Sequence, residues 1–200
     1  MRAMLMLLLT SADARADGIY FHQTVGVGQA QEPLIDKTIQ TRAGIGARVR
    51  WLALEAWAAS DTQPVRDGAL FGIVGGEPKM GTDLTSYGMS TRLILPIHRT
   101  DKALLEGYAR VGAGLVEATG RLDGFAGHTW MGGGGIQVKG RVRALGFAWG
   151  PLFFVNRGPR VTGALFVDYG YERMTLHRTD REIRTGMSHL VLGFAVGSSF

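Results

Sequence analysis

Histidine, serine and carboxylate side chains are where this sequence could hold catalytic chemistry. There are five histidines, His22, His98, His128, His177 and His189, and no cysteine. The lack of cysteine excludes disulfide scaffolds, thiolate zinc sites and cysteine nucleophiles. The densest local cluster is Ser188-His189 with Asp180 or Glu182 nearby in the chain. It would supply a nucleophile, a base and an orienting acid. Neighbouring residues of a strand face opposite sides, however, so in a strand Ser188 and His189 would not share a site. No histidine pair has metal-ligand spacing on one face, so neither a metal nor a cofactor is expected. Gly26-x-Gly28 and Gly112-x-Gly114 neither complete a dinucleotide loop nor open a helix. No catalytic residue is assigned.

The other chemically conspicuous group is basic. The 22 lysines and arginines outnumber 17 acids, for a net charge of +5. That balance raises nucleic acid or anionic lipid as a partner. The cations do not form a run, though. Arg42, Arg48, Arg50, Arg92, Arg110, Lys139, Arg141 and Arg143 fall at alternate positions, as do Glu55, Glu106, Asp168 and Glu172. Period-two placement assigns them to one face of a sheet, and no nucleic-acid partner is expected.

The elements that would position them are strands. Thirty glycines in 200 residues is about twice the usual ~7%, which disfavours helix interiors. Alternation recurs along the chain. Ile19, Phe21, Val25 and Val27 oppose Tyr20, His22 and Thr24. Ala43, Ile45 and Ala47 oppose Arg42, Gly44, Gly46 and Arg48. Leu54 and Ala56 oppose Glu55 and Trp57. The same pattern runs through residues 87–95, 105–115, 130–143, 161–172 and 189–200, making eight strands. The segments 60–84, 118–129 and 177–186 read as polar loops, and 96–102 as a turn. Residues 145–160 are apolar and contain Pro151 and Pro159. They are read as the end of a long sixth strand and a connection, with two extra strands, making ten, as the alternative. The fold class predicted is an all-β, antiparallel up-and-down barrel of eight strands, with tight turns at one rim.

Residues 1–16 carry Arg2, a short apolar run and Ala14-Arg15-Ala16 before Asp17. This is a secretory signal with cleavage expected after Ala16, leaving 17–200 as the barrel. In an exported barrel with an apolar face free of charge, the apolar face meets lipid and the charged face lines the lumen. Phe21, Tyr87, Trp130, Tyr169, Tyr171 and Phe200 are then expected at the membrane interfaces. An eight-stranded lumen is filled by side chains, and buried charges need partners. The twelve charged residues named above are therefore expected to form an ion-pair network, with glycines making room for arginines and a basic excess left for water or anions. A soluble periplasmic barrel that binds an apolar ligand is the alternative.

The chain closes on an alternating strand, His189-Leu-Val-Leu-Gly-Phe-Ala-Val-Gly-Ser-Ser-Phe200. With Gly112-Ala-Gly114, the 132–135 glycine run and Asp168-Tyr-Gly-Tyr-Glu172, it resembles the small eight-stranded outer-membrane barrels of the OmpA/OmpX type. The resemblance implies residence in the cell outer membrane and contact with membrane lipid and lipopolysaccharide. It also implies recognition of the strand ending in Phe200 by the barrel-assembly machinery, and a structural or surface-interaction role through extracellular loops. Residues 68–80 would be one such loop. Some outer-membrane barrels modify lipid A, so a lipid A-modifying outer-membrane enzyme is the other alternative to the structural or interaction role, although the deacylase family spaces its histidine and serine differently from Ser188-His189.

Overall fold

The structure is a computed structural model that describes residues 18–31, 37–62, 82–141 and 161–198. The expected leader (1–16), the 68–80 loop, Arg143, the 145–160 segment and Phe200 lie outside the described residues.

Eight antiparallel strands follow one another around a ring: β1 (Gly18–Ala30), β2 (Lys37–Val49), β3 (Leu52–Thr62), β4 (Thr82–Arg99), β5 (Ala103–Gly120), β6 (Ala126–Arg141), β7 (Val161–Arg178) and β8 (Arg181–Ser198). β1 pairs with β8, from Tyr20 against Gly197 to Ala30 against Met187, so the barrel closes. Closure leaves no edge to protect. It also leaves no place in the ring for two further strands, so the ten-strand alternative is wrong.

Two segments read as loops are strand. β5 continues to Gly120 and β6 begins at Ala126; β7 and β8 continue to a two-residue turn at Thr179–Asp180. The reason is a change of polarity along the barrel axis. Over most of its height apolar residues face out: Ile45, Val111 and Leu192 are each more than half exposed. Toward the rim away from the termini, alternation persists but its sense reverses. Leu84, Val116, Ala118, Leu122, Phe125, Met174, Leu176, Ile183 and Met187 turn inward and pack together, while Glu117, Arg173, His177, Glu182 and Arg184 face out. Charge on the outer face of this extension mimics a loop in a one-dimensional reading. The turn that closes it is held by Arg178, which donates to both oxygens of Asp180 at 2.7 and 2.9 Å. The same hydrogen bonds hold the Asp180 carboxyl below the usual carboxylate range.

At the opposite rim, β4 runs through Pro96 to Arg99, and the turn is only Thr100–Lys102. Pro96 removes a ladder donor. The register shifts immediately after it, between Pro96 and His98, so the strand absorbs the loss as a bulge. Arg50 occupies the β2–β3 turn with φ of 54°, and its carbonyl accepts from Arg48 Nε at 2.7 Å.

Candidate functional site

The lumen gathers most of the charged residues expected there. Arg42, Arg48, Arg92, Arg110 and Lys139 are buried inside the barrel, as are Glu55, Glu106, Asp168 and Glu172. Asp61 joins them. It continues the inward series Glu55, Trp57, Ala59, in a stretch whose polarity reads as loop. Five cations and five carboxylates therefore face each other among the described residues, and the anticipated basic excess is absent. Asp61 adds a carboxylate, Arg143 lies outside the described residues, and Arg50 and Arg141 are not in the lumen. Both are exposed at the rim near the termini, Arg50 because it forms a turn and Arg141 because it ends its strand.

Nearest the termini, Arg48 grips Glu106 with two bonds of 2.9 and 2.8 Å. Gln137, directly across the β5–β6 ladder from Glu106, donates to it at 2.6 Å, and Lys139 Nζ lies 3.6 Å away. One level further in, Glu55 accepts from Tyr20 at 2.6 Å and from Ser90 at 3.1 Å. Arg92 Nε stands 2.9 Å from the same carboxylate, and His22 Nε2 is 3.7 Å from it. Arg92 and Arg110 oppose one another in register, an unfavourable placement for like charges. They diverge: Arg92 turns to Glu55 and stacks 4.8 Å from the Tyr108 ring centre, whereas Arg110 turns to Asp168 at 3.1 Å.

Above these, Glu172 accepts from Thr129 at 2.6 Å and pairs with Arg42 at 3.6 Å. Arg42 in turn lies 4.7 Å over Trp57, a cation–π contact that offsets part of the loss of solvation. His189 stands between two carboxylates, 3.5 Å from Glu172 and 3.7 Å from Asp61. Asp61 also accepts from Gln40 and Thr38. A void of about 10 Å³ beside Arg42, Arg110 and His189 is the size of one water at most. The packed apolar layer then covers the far end.

A polar interior wrapped in an apolar exterior is unstable in water and stable in lipid. A solved structure shares this architecture: Neisserial surface protein A (NspA) superposes with a TM-score of 0.58 at 15% identity, covering 91% of this chain and 97% of that one. The chain has the fold of a small outer-membrane β-barrel. Ail of Yersinia pestis (TM-score 0.38, 13% identity, 90% of this chain and 99% of that one) and a major outer membrane protein of Thermus thermophilus (0.43, 10%, 91% and 99%) are more distantly similar. No protein-family model matches the sequence, and no curated protein matches it.

The alternative of a soluble barrel around an apolar ligand does not match this arrangement: below the inward apolar layer, large apolar residues such as Ile45, Val111 and Leu192 face out, and charged side chains and rings are buried inside. The Ser188-His189 cluster does not assemble. His189 is buried in the lumen, Ser188 faces the other way, and Asp180 and Glu182 lie exposed at the rim. Of the aromatics expected at the interfaces, Phe21, Tyr87, Trp130, Tyr169 and Tyr171 all face outward and are 41–63% exposed.

The lumen glycines chiefly accommodate rings rather than arginines. In register, Tyr20 opposes Gly46, His22 opposes Gly44, Trp57 opposes Gly88, Tyr108 opposes Gly135 and Phe166 opposes Gly193. Alternation places Tyr20, His22 and Trp57 on the inner face but does not show that they belong to the network. The signal that could have found this is a glycine at the paired position, visible only once the register is known.

Proposed function

We propose that this protein is a closed outer-membrane barrel, structural or interaction-type, that acts through its outward surface and extracellular loops and conducts nothing through its lumen. The observation that carries the reading is the stack of side chains inside it: three levels of ion pairs from Glu106 through Glu55 to Glu172, followed by the apolar layer around Val116, Met174 and Leu176. An ion entering would have to break buried pairs, each costing several kcal/mol to open (about 3–5), and then cross the apolar layer. The termini share the rim of the Arg48–Glu106 level, so this rim is assigned to the periplasm and the apolar cap to the cell exterior.

The outer face of the barrel would contact membrane lipid and lipopolysaccharide, and the closing strand would engage the assembly machinery through the segment ending at Phe200. The purified protein, refolded into planar bilayers, tests the central claim. No stable conductance is expected, with a band on SDS gels that shifts only on heating. Steady channels in the folded protein would overturn the closed-lumen reading.

A further inference from the structure

The reversal of polarity along the barrel locates the outer membrane surface. On β7, Tyr169 and Tyr171 are the last outward apolar residues, and Arg173, Thr175 and His177 follow them toward the rim. On β6 the outward face climbs through Trp130 and His128 to Ala126. His128 pairs in register with Thr175, and Ala126 with His177. The two histidines are therefore diagonal neighbours on one face of adjacent strands, and both are exposed. Spacing along the chain predicts no metal ligands, but this pair arises between strands.

The two rings lie 6.2 Å apart, centre to centre, and are tilted by 32°. A metal ion about 2.0–2.1 Å from one nitrogen of each ring, at a tetrahedral angle, holds the ring centres roughly 5–6 Å apart. Small rotations of two exposed side chains close the remaining gap. On β8, Glu182 stands directly across from His177, with Oε2 3.3 Å from its Nδ1. A carboxylate on that side favours the tautomer that keeps Nδ1 protonated and leaves Nε2 to ligate, as carboxylate partners do behind metal-bound histidines. Glu182 is itself held by Arg184. On the β5 side, Glu117 faces out opposite Ala126, diagonal to His128.

We propose that His128 and His177 form a surface site for a divalent transition-metal ion such as zinc, copper or nickel, with Glu182 orienting His177. Imidazole nitrogens suit these ions, whereas magnesium and calcium prefer oxygen ligands. Among the described residues no three such ligands converge on one point, so water fills the remaining positions, with Glu117 one strand away to replace one of them. Glu117 and Glu182 offset the charge of Arg173 and Arg184, which share this outer face. The ion ties β6 to β7 beyond the membrane surface. Its placement at the cell exterior rests on the orientation assigned above. The binding does not depend on a closed lumen, so zinc uptake and conductance are separate measurements.

The test uses the full chain without a histidine tag, folded in dodecyl maltoside, and titrates it with zinc chloride in a calorimeter. Wild type is expected to take up one zinc ion per chain saturably, and excess magnesium or calcium should not displace it. His128→Asn and His177→Asn should each abolish that saturable uptake. Glu182→Gln should lower zinc affinity by about tenfold or more, the usual effect of losing a carboxylate behind a ligating histidine. His98→Asn, at the other rim, should change nothing. No uptake by folded wild type, wild-type uptake by either histidine variant, or equal competition by magnesium overturns the site. Unchanged affinity in Glu182→Gln overturns the orienting role of that carboxylate. A heat-shifted gel band for each variant separates lost binding from lost folding.

Discussion

Tyr20 lies directly across the β1–β2 ladder from Gly46, and its ring occupies the space a Cβ at position 46 would need, 2.4 Å from the ideal Cβ position. The ring can therefore lie flat along the inner wall and aim its hydroxyl at Glu55. Gly46→Ala should push the ring off this path and cost about 1–3 kcal/mol, the usual range for overpacking. Gly132→Ala, on the outer face with nothing within 4 Å of a new Cβ, should stay within about 0.5 kcal/mol of wild type. Urea unfolding of the two variants in lipid vesicles makes the comparison, and equal losses would mean the ring–glycine pairing carries no packing energy.

The Arg48–Glu106 pair makes a second measurable claim. Glu106 is the acceptor for Arg48, Gln137 and Lys139 together. Glu106→Gln keeps the shape but leaves two buried cations without a counter-charge, so a loss of about 3–5 kcal/mol is expected. Lys102→Gln in the exposed β4–β5 turn should be near neutral. The same unfolding titration reads both, and a mild Glu106→Gln phenotype would show that water reaches this level of the lumen.

The polarity reversal predicts a depth profile. Val111→Arg, on the outer face within the apolar belt, should cost about 2–4 kcal/mol, whereas Thr175→Arg, above the reversal on β7, should cost about 0–1 kcal/mol. If both were tolerated equally in bilayers, the membrane surface would not lie between Tyr171 and Arg173.

Deletion of Phe200 separates thermodynamics from assembly. One aromatic side chain contributes about 1–3 kcal/mol at most, so the shortened chain should still fold in detergent. In cells it should accumulate poorly in the outer membrane if the terminal strand is the assembly signal. Normal outer-membrane levels in cell fractionation would remove that role.

The sequence by itself determined the architecture and the two faces of each strand. Side chains in a strand alternate with period two, so Val25 against Thr24 or Val111 against Arg110 is visible without coordinates, and eight such runs give a barrel with one apolar and one charged face, whose sense of facing the alternation alone leaves open. What only the tertiary structure decided depends on which residues stand opposite each other. Asp61 was hidden because a polar strand end looks like a loop. The upper ends of β5 to β8 were hidden because their outward charges and inward Val116, Met174 and Ile183 follow the rule of a water-soluble sheet, the reverse of the rule below them. The opposition of Tyr20, Tyr108 and Phe166 to glycines, and the sharing of Glu106 among three donors, arise from register. Register is set by closure of the whole ring, and residues such as Tyr20 and Glu55, 35 positions apart, meet only when every strand between them has paired.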